Sequence, residues 1–266
     1  MKDDARESLT RKGTRVEFGF GKERVIVNVP DKRGLFAEVR NRLRAGNGFA
    51  LATINLDHLV KLGKSETFRC AYSKHDLVVA DGNPVVWLSR LAGRGVKLVP
   101  GSEMLIPLSE IAVSEGVRIA LVGSTEDSLV AAAAEMKRRV PGLIISAMIA
   151  PPMDFKPDGQ GAEKVFSELE DSSARLVFLA LGAPKQEVFA AHGRSRLPDV
   201  GFASIGAGLD FLAGTQVRAP AWVRVIAMEW AWRLIKSPRR LGLRYAKCFA
   251  ILPRQATRAL RMRFGE

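Results

Sequence analysis

Apolar and polar positions change their rhythm along this chain, and each change of period marks an element. Residues 1–15 have no apolar rhythm, are mixed in charge, and are expected to be poorly ordered. Two short β-like runs follow, RVEFGF at 15–20 and RVIVNV at 24–29. In the next segment, PDKRGLFAEVRNRLRAG, Leu35, Phe36, Val39 and Leu43 recur close to helical spacing. FALATINLDHL reads as a β-rich run ending around Thr53 and Asn55, with a polar, helix-like connection after it. LVVA at 77–80 is a short buried strand, Asp81 and Gly82 turn the chain, and a helix begins near Pro84, because proline suits the first helical position.

From Gly116 the alternation is regular. VRIALVG is a strand, and STEDSLVAAAAEMKRRV is a helix with Ser124 or Thr125 as N-cap and acids in its first turn. LIISAMI, RLVFLALG and VGFASIGAG are further strands, separated by helices at AEKVFSELED and PKQEVFAAHGR. Strands alternating with helices imply an α/β fold, a Rossmann-like parallel sheet with helices on both faces. Ligands of such sheets bind at the carboxyl ends of the strands, where loops meet helix N-termini. Asp81, Gly123 with Ser124, and residues 182–186 fall on that edge. At 216 the pattern changes again, so 16–215 is expected to form one domain and 216–266 a helical appendage divided at Pro220, Pro238 and Pro253.

Composition narrows the picture. With 266 residues, 47% hydrophobic and 26% charged, the chain has the make-up of a globular protein with a sizeable core. Cys70 and Cys248 stand far apart and form no CxxC, which fits a reducing cytoplasm. The N-terminus has acids where a signal peptide needs its apolar stretch, and no window approaches the roughly 18 apolar residues of a membrane-spanning helix. The net charge of +13 is concentrated: residues 216–266 hold twelve basic residues against Glu229 and Glu266, and therefore ten of the thirteen positive charges. Three of the four tryptophans, Trp222, Trp230 and Trp232, lie among those arginines. Such a segment expects an anionic partner, and arginine beside tryptophan on short amphipathic helices suits a membrane interface.

The candidate chemistry is selective. His58, His75 and His192 stand alone, with no HExxH or DxD, so no metal or other cofactor is expected, and a lone histidine is more often a surface or satisfied core residue. There is no GxSxG nucleophile elbow. SIGAGLDFLAG has Gly206 and Gly208 but lacks the third glycine and the helix of a dinucleotide fingerprint, which counts against an NAD-dependent oxidoreductase. At Gly123 and Ser124 a helix start could receive an anion or could simply be capped. Lys185, Gln186 and Glu187 stand at the next helix start, where polar groups can hydrogen-bond a base or sugar. The Asp81–Gly82–Asn83 turn has two readings: an ordinary turn, or a positioned carboxylate base.

Taken in order, TIN (53–55), ADGNPVVW (80–87), VPGSEM (99–104), LVGST (121–125), LGAPKQE (181–187), GAGLDFLAGTQVRAP (206–220) and EWAWRLIKSPRRLGLRY (229–245) resemble the WecG/TagA/CpsF glycosyltransferases from about residue 25 to 250. The resemblance implies transfer of a hexose-type sugar from a UDP-sugar to a polyprenyl-diphosphate-linked sugar acceptor, with inversion and without a metal. It implies a peripheral enzyme at the cytoplasmic face of the membrane, in surface or exopolysaccharide synthesis. Asp81 takes the place of the catalytic base, Thr53 and Asn55 line the sugar pocket, Gly82 and Asn83 belong to the same motif, and Gln186 matches the site glutamine. Arg233, Arg240 and Arg244 match a basic appendage that closes over the diphosphate, and Arg218 lies in the preceding motif. Leu209 and Ser237 depart from the family pattern, which often has phenylalanine and glutamate there. The rival reading is a protein that binds nucleic acid or anionic lipid without transferase activity, but no nucleic-acid motif precedes the basic tail. An oligomer is compatible with the alanine-rich helix at 131–136.

Overall fold

The computed structural model describes residues 15–216, 219, 220, 223 and 228–264, with the side chains of Arg233 and Arg240 outside that set. The strands are β1 (Val16–Phe20), β2 (Glu23–Val27), β3 (Phe49–Ile54), β4 (Leu77–Ala80), β5 (Arg118–Gly123), β6 (Ile145–Ile149), β7 (Ala174–Ala180) and β8 (Gly201–Ser204). The helices are α1 (Lys32–Ala45), α2 (Leu56–Leu62), α3 (Glu66–Ser73), α4 (Asn83–Leu91), α5 (Leu105–Ser114) and α6 (Glu126–Arg139). After these come α7 (Gln160–Asp171), α8 (Lys185–Arg196), α9 (Gly208–Leu212), α10 (Glu229–Lys236) and α11 (Pro238–Phe264). β1 and β2 pair as an antiparallel hairpin, and the rest form a six-stranded parallel sheet in the order β4-β3-β8-β7-β5-β6. The expected Rossmann-like α/β class is therefore observed.

Burial on both faces explains why FALATI and ARLVFLA read as apolar runs and not as alternating ones. Successive residues of each strand divide between the two faces. Leu51, Val79, Leu121 and Phe178 join α1, α5 and α6 in one core. Ala52, Ile54, Val78 and Ala80 meet α2, α3 and α4 in a second, and Ala120, Val122, Leu179 and Phe202 meet α7 and α8 in a third. The amino edge of the sheet is closed by charge. Asp76, just before β4, accepts from the Ala50 N–H at 2.9 Å, from Arg42 at 3.0 Å and from Arg194 at 3.1 Å. Burial alone would raise its carboxyl, but these partners hold it below the usual range.

Several elements differ from the sequence expectation. The polar connection after β3 is two helices, each with its own cap: Asn55 Oδ1 accepts from His58 N, and Ser65 Oγ from Phe68 N. α5, LIPLSEIAVS, shows no helical signal in the sequence because it has neither a capping side chain nor a clear polar face. β8 stops at Ser204, earlier than the expected 208, because Gly206 turns the chain at φ 59° and the short helix α9 follows. The helix missing from the SIGAGLDFLAG reading is thus present, though only five residues long. Thr125, with Ser128 N donating to its Oγ1, is the cap of α6.

Pro238 opens α11 as expected, yet Pro253 does not divide it. Cys248 and Ala259, on either side of Pro253, are both buried in the core with α2, α3 and α4, so tertiary contacts pin the helix across its missing hydrogen bond. Arg258 also donates to the Gly19 carbonyl at 2.6 Å, tying α11 to the hairpin. Trp230 of α10 packs edge-on against Tyr245 and Phe249 of α11. No helix among the described residues is long and apolar enough to cross a membrane.

Candidate active site

The carboxyl ends of β3 and β4, adjacent in the sheet, bring Thr53, Asn55, Asp81, Gly82 and Asn83 into one neighbourhood. Asp81 follows β4 directly, and its N–H donates to the Ile54 carbonyl at 2.7 Å, which fixes the backbone of the carboxylate to the end of β3. Gly82 has φ 111°, a conformation open to glycine, and starts α4 with Asn83 and Pro84 in its first turn. A Cβ on Gly82 would touch Asn55 Cβ at 3.7 Å, so the turns after β3 and β4 lie against each other. Thr53 is buried and in register with Val79. Asn55 is half-buried, and its Oδ1 is engaged in capping α2.

Below this edge lies a cluster that the sequence reading did not assemble. Glu187 is wholly inaccessible and Gln186 is 2% exposed, so Glu187 faces the protein interior. Gln186 Nε2 donates to Glu187 Oε1 at 2.8 Å, and Gln186 Oε1 accepts from Gly206 N at 3.3 Å. Glu187 Oε1 is 4.0 Å from His58 Nδ1, and that nitrogen shares a 2.6 Å hydrogen bond with the Tyr72 hydroxyl. The same hydroxyl lies 3.5 Å from the Thr53 carbonyl. Desolvation dominates the electrostatics here. It pushes the Glu187 carboxyl up to about 7 and, with Lys61 adding repulsion, drives His58 down to about 3. Tyr72 is raised well above its ordinary value by burial and by the nearby charges of Glu187 and Asp81.

The other predicted residues point elsewhere. Lys185 donates to the Met153 carbonyl at 2.9 Å, away from the Gln186 cluster. Gly123 ends β5 at φ 112°, and a Cβ there would come within 2.5 Å of the Ala180 backbone, so the close approach of β7 dictates glycine. Ser124 N donates to Ala180 O at 3.2 Å and its hydroxyl to Asp210. Asp210 also accepts from Gln216 Nε2 at 2.9 Å, so a carboxylate stands beside this turn. Arg244 Nε pairs with Asp57 Oδ1 at 3.0 Å. Lys61 Nζ lies 2.8 Å from Asp57 Oδ2, near enough for an ion pair though outside hydrogen-bond geometry, and donates to Ala183 O at 2.9 Å. Arg244 therefore braces α2 and, through it, the loop before α8. Arg218 and the side chains of Arg233 and Arg240 lie outside the described residues. A separate cleft of about 440 Å³, lined by Lys32, Ser102, Ile106, Arg139, Gly208 and Phe211 among others, includes none of the predicted site residues.

What this edge can do is hold a carboxylate beside polar groups from two neighbouring strands, on a rigid sheet. A family model described as glycosyl transferase WecG/TagA/CpsF family matches residues 24–265, nearly the whole chain. The chain belongs to this family. As a WecG/TagA/CpsF member it is a glycosyltransferase of cell-surface polymer synthesis. The match extends through α10 and α11, so the basic C-terminal helices are part of the family's own sequence.

The sequence motifs named Gln186 and Glu187 but gave no sign that Glu187 meets His58 and Tyr72. His58 and Tyr72 come from α2 and α3, fourteen residues apart, and only the packing of α8 against α3 brings Glu187 to them. The one available signal was negative: a lone histidine reads as a satisfied core residue, and His58 is one, buried and bonded to Tyr72.

Proposed function

We propose that this WecG/TagA/CpsF enzyme transfers a hexose-type sugar from a UDP-sugar to a polyprenyl-diphosphate-linked sugar, inverting the anomeric centre without a metal ion. The observation that carries this reading is the placement of Asp81 at the carboxyl end of β4, with its backbone fixed to β3. A carboxylate on a rigid strand end can take the acceptor hydroxyl proton as the oxygen attacks the anomeric carbon from the face opposite UDP. One displacement then inverts the centre. Thr53, Asn55 and Gln186 line the sugar pocket; with Oδ1 of Asn55 capping α2, its Nδ2 is the group left for a sugar oxygen.

The departing diphosphate needs positive charge where its own charge grows. Arg218, Arg233, Arg240 and Arg244 supply it, since guanidinium forks match phosphate oxygens. Arg244 begins paired to Asp57 and reaches the diphosphate by leaving that pair. The anionic lipid surface is met by α10 and α11, where Ile235 and Leu243 are about three-quarters exposed among basic side chains. On this reading the enzyme works peripherally at the cytoplasmic face, where the lipid-linked acceptor resides.

The test is a panel of UDP-sugars with a synthetic polyprenyl-diphosphate-linked sugar acceptor, assayed with and without EDTA. One donor should be turned over equally under both conditions, giving a product of inverted anomeric configuration by NMR. Transfer that stops on chelation and returns with magnesium or manganese would overturn the metal-independent mechanism.

A further inference from the structure

We infer that Glu187 is a positioning residue for sugar transfer: its buried carboxyl fixes the Gln186 amide and, through it, the turn at Gly206. This rests on the proposed role of Gln186 in the sugar pocket.

The geometry leaves the amide one arrangement. A carboxyl oxygen that accepts from Gln186 makes the atom facing it Nε2, and the opposite atom, Oε1, is then the acceptor that the Gly206 N–H requires. One Nε2 hydrogen remains for a ligand, in a direction set by the other two bonds. Without Glu187 only the 3.3 Å bond from Gly206 is left to hold the amide, which does not by itself fix that direction. Gly206 sits in the turn between β8 and α9, two residues past the strand end, so the same bracket joins the start of α8 to the carboxyl edge beside β3.

Stability alone does not explain an acid here. Glu187 has no exposed surface, and its Oε2 has no hydrogen-bond partner among the described residues. A buried oxygen without a partner is destabilising, so an apolar residue at this position would make a more stable core. Charged and titratable groups surround the carboxyl: His58 lies 4.0 Å away on α2, Asp57 and Lys61 of the same helix act on it through space, and Tyr72 of α3 feels its charge together with that of Asp81. The fold keeps the acid nonetheless, and its side-chain hydrogen bond is the one to Gln186.

The experiment compares Glu187→Leu and Glu187→Gln in the full-length enzyme, by steady-state transfer and by hydrogen exchange at the Gly206 amide. Glu187→Leu should lower kcat by about tenfold or more while the donor KM stays within about threefold, because a misdirected amide damages geometry more than affinity. Its Gly206 amide should exchange faster than in the wild type. Glu187→Gln, whose own Oε1 can accept from Gln186, should recover most of both losses. Unchanged kcat and unchanged protection in Glu187→Leu would overturn the inference, as would a folded Glu187→Gln as impaired as Glu187→Leu. Should Glu187→Leu not fold, Glu187→Asp, which withdraws the carboxyl by one methylene, takes its place with the same readouts. If the wild type transfers no sugar from any UDP donor, the proposed function fails separately, and the exchange measurement still decides whether Glu187 holds the turn.

Discussion

At the level of single residues, buried histidines contribute to the acid response of this protein. His75 is buried and pushed down to about 4 by desolvation, with its Nδ1–H donating to the Ala71 carbonyl at 2.8 Å and its Nε2 without a partner among the described residues. A base whose folded value lies below its unfolded one binds fewer protons in the native state, so stability falls as pH drops from about 6.5 toward 4. At pH 5 this amounts to roughly 2 kcal/mol for His75. His75→Asn keeps a donor for Ala71 and cannot titrate. Its stability deficit against the wild type, measured by urea unfolding, should therefore shrink by roughly 2 kcal/mol between pH 7.5 and pH 5. A pH-independent gap would show that His75 is not held neutral by burial. Glu187 acts in the opposite sense: an acid raised to about 7 lowers stability as pH rises from about 4.5 to 7. Of these residues the sequence could identify only type. Burial, which sets both shifts, is a property of contacts between α2, α3 and α8 that no local pattern encodes.

Among the elements, α11 best shows what local rules miss. Proline at 253 argued for a break, and the helix runs through it because Cys248 and Ala259 are anchored in the core. This bears on the membrane reading. Deleting residues 216–266 would strip those core contacts and unfold neighbouring helices, so loss of vesicle binding after truncation would be uninformative. Surface substitutions separate the two effects. Ile235→Ser combined with Leu243→Ser changes two side chains that are 76% and 74% exposed and should leave the melting temperature within a few degrees. The affinity for anionic phospholipid vesicles, read by sedimentation, should fall by about thirtyfold or more, since each side chain removes roughly 1 kcal/mol or more of interfacial burial. Undiminished sedimentation would assign membrane binding elsewhere. The capped or strongly periodic helices, α1, α4, α6 and α7, were legible in the sequence; α5 was not, because an apolar helix without a cap shows no period.

For the molecule as a whole, sheet order does what the chain order cannot. Strand and helix alternation was enough to give the parallel sheet, but nothing in it says that β3 lies between β4 and β8. That adjacency sets Asp81, Asn55 and the Gly206 turn side by side. It also explains the uneven charge of the chain: α11 packs on α2 and α4, the helices that start at the ends of β3 and β4, so the basic C-terminus folds back beside Asp81. Asp81 stands on this edge, as the chain order led one to expect, and Arg244, read as a phosphate ligand, is paired here with Asp57. The central claim is that Asp81 accepts the proton during sugar transfer. It is tested most directly by turnover of Asp81→Asn with donor and lipid-linked acceptor both saturating, alongside donor affinity by calorimetry. The account predicts donor binding within about threefold of the wild type and turnover reduced by about 100-fold or more. Near wild-type turnover in that variant would contradict it.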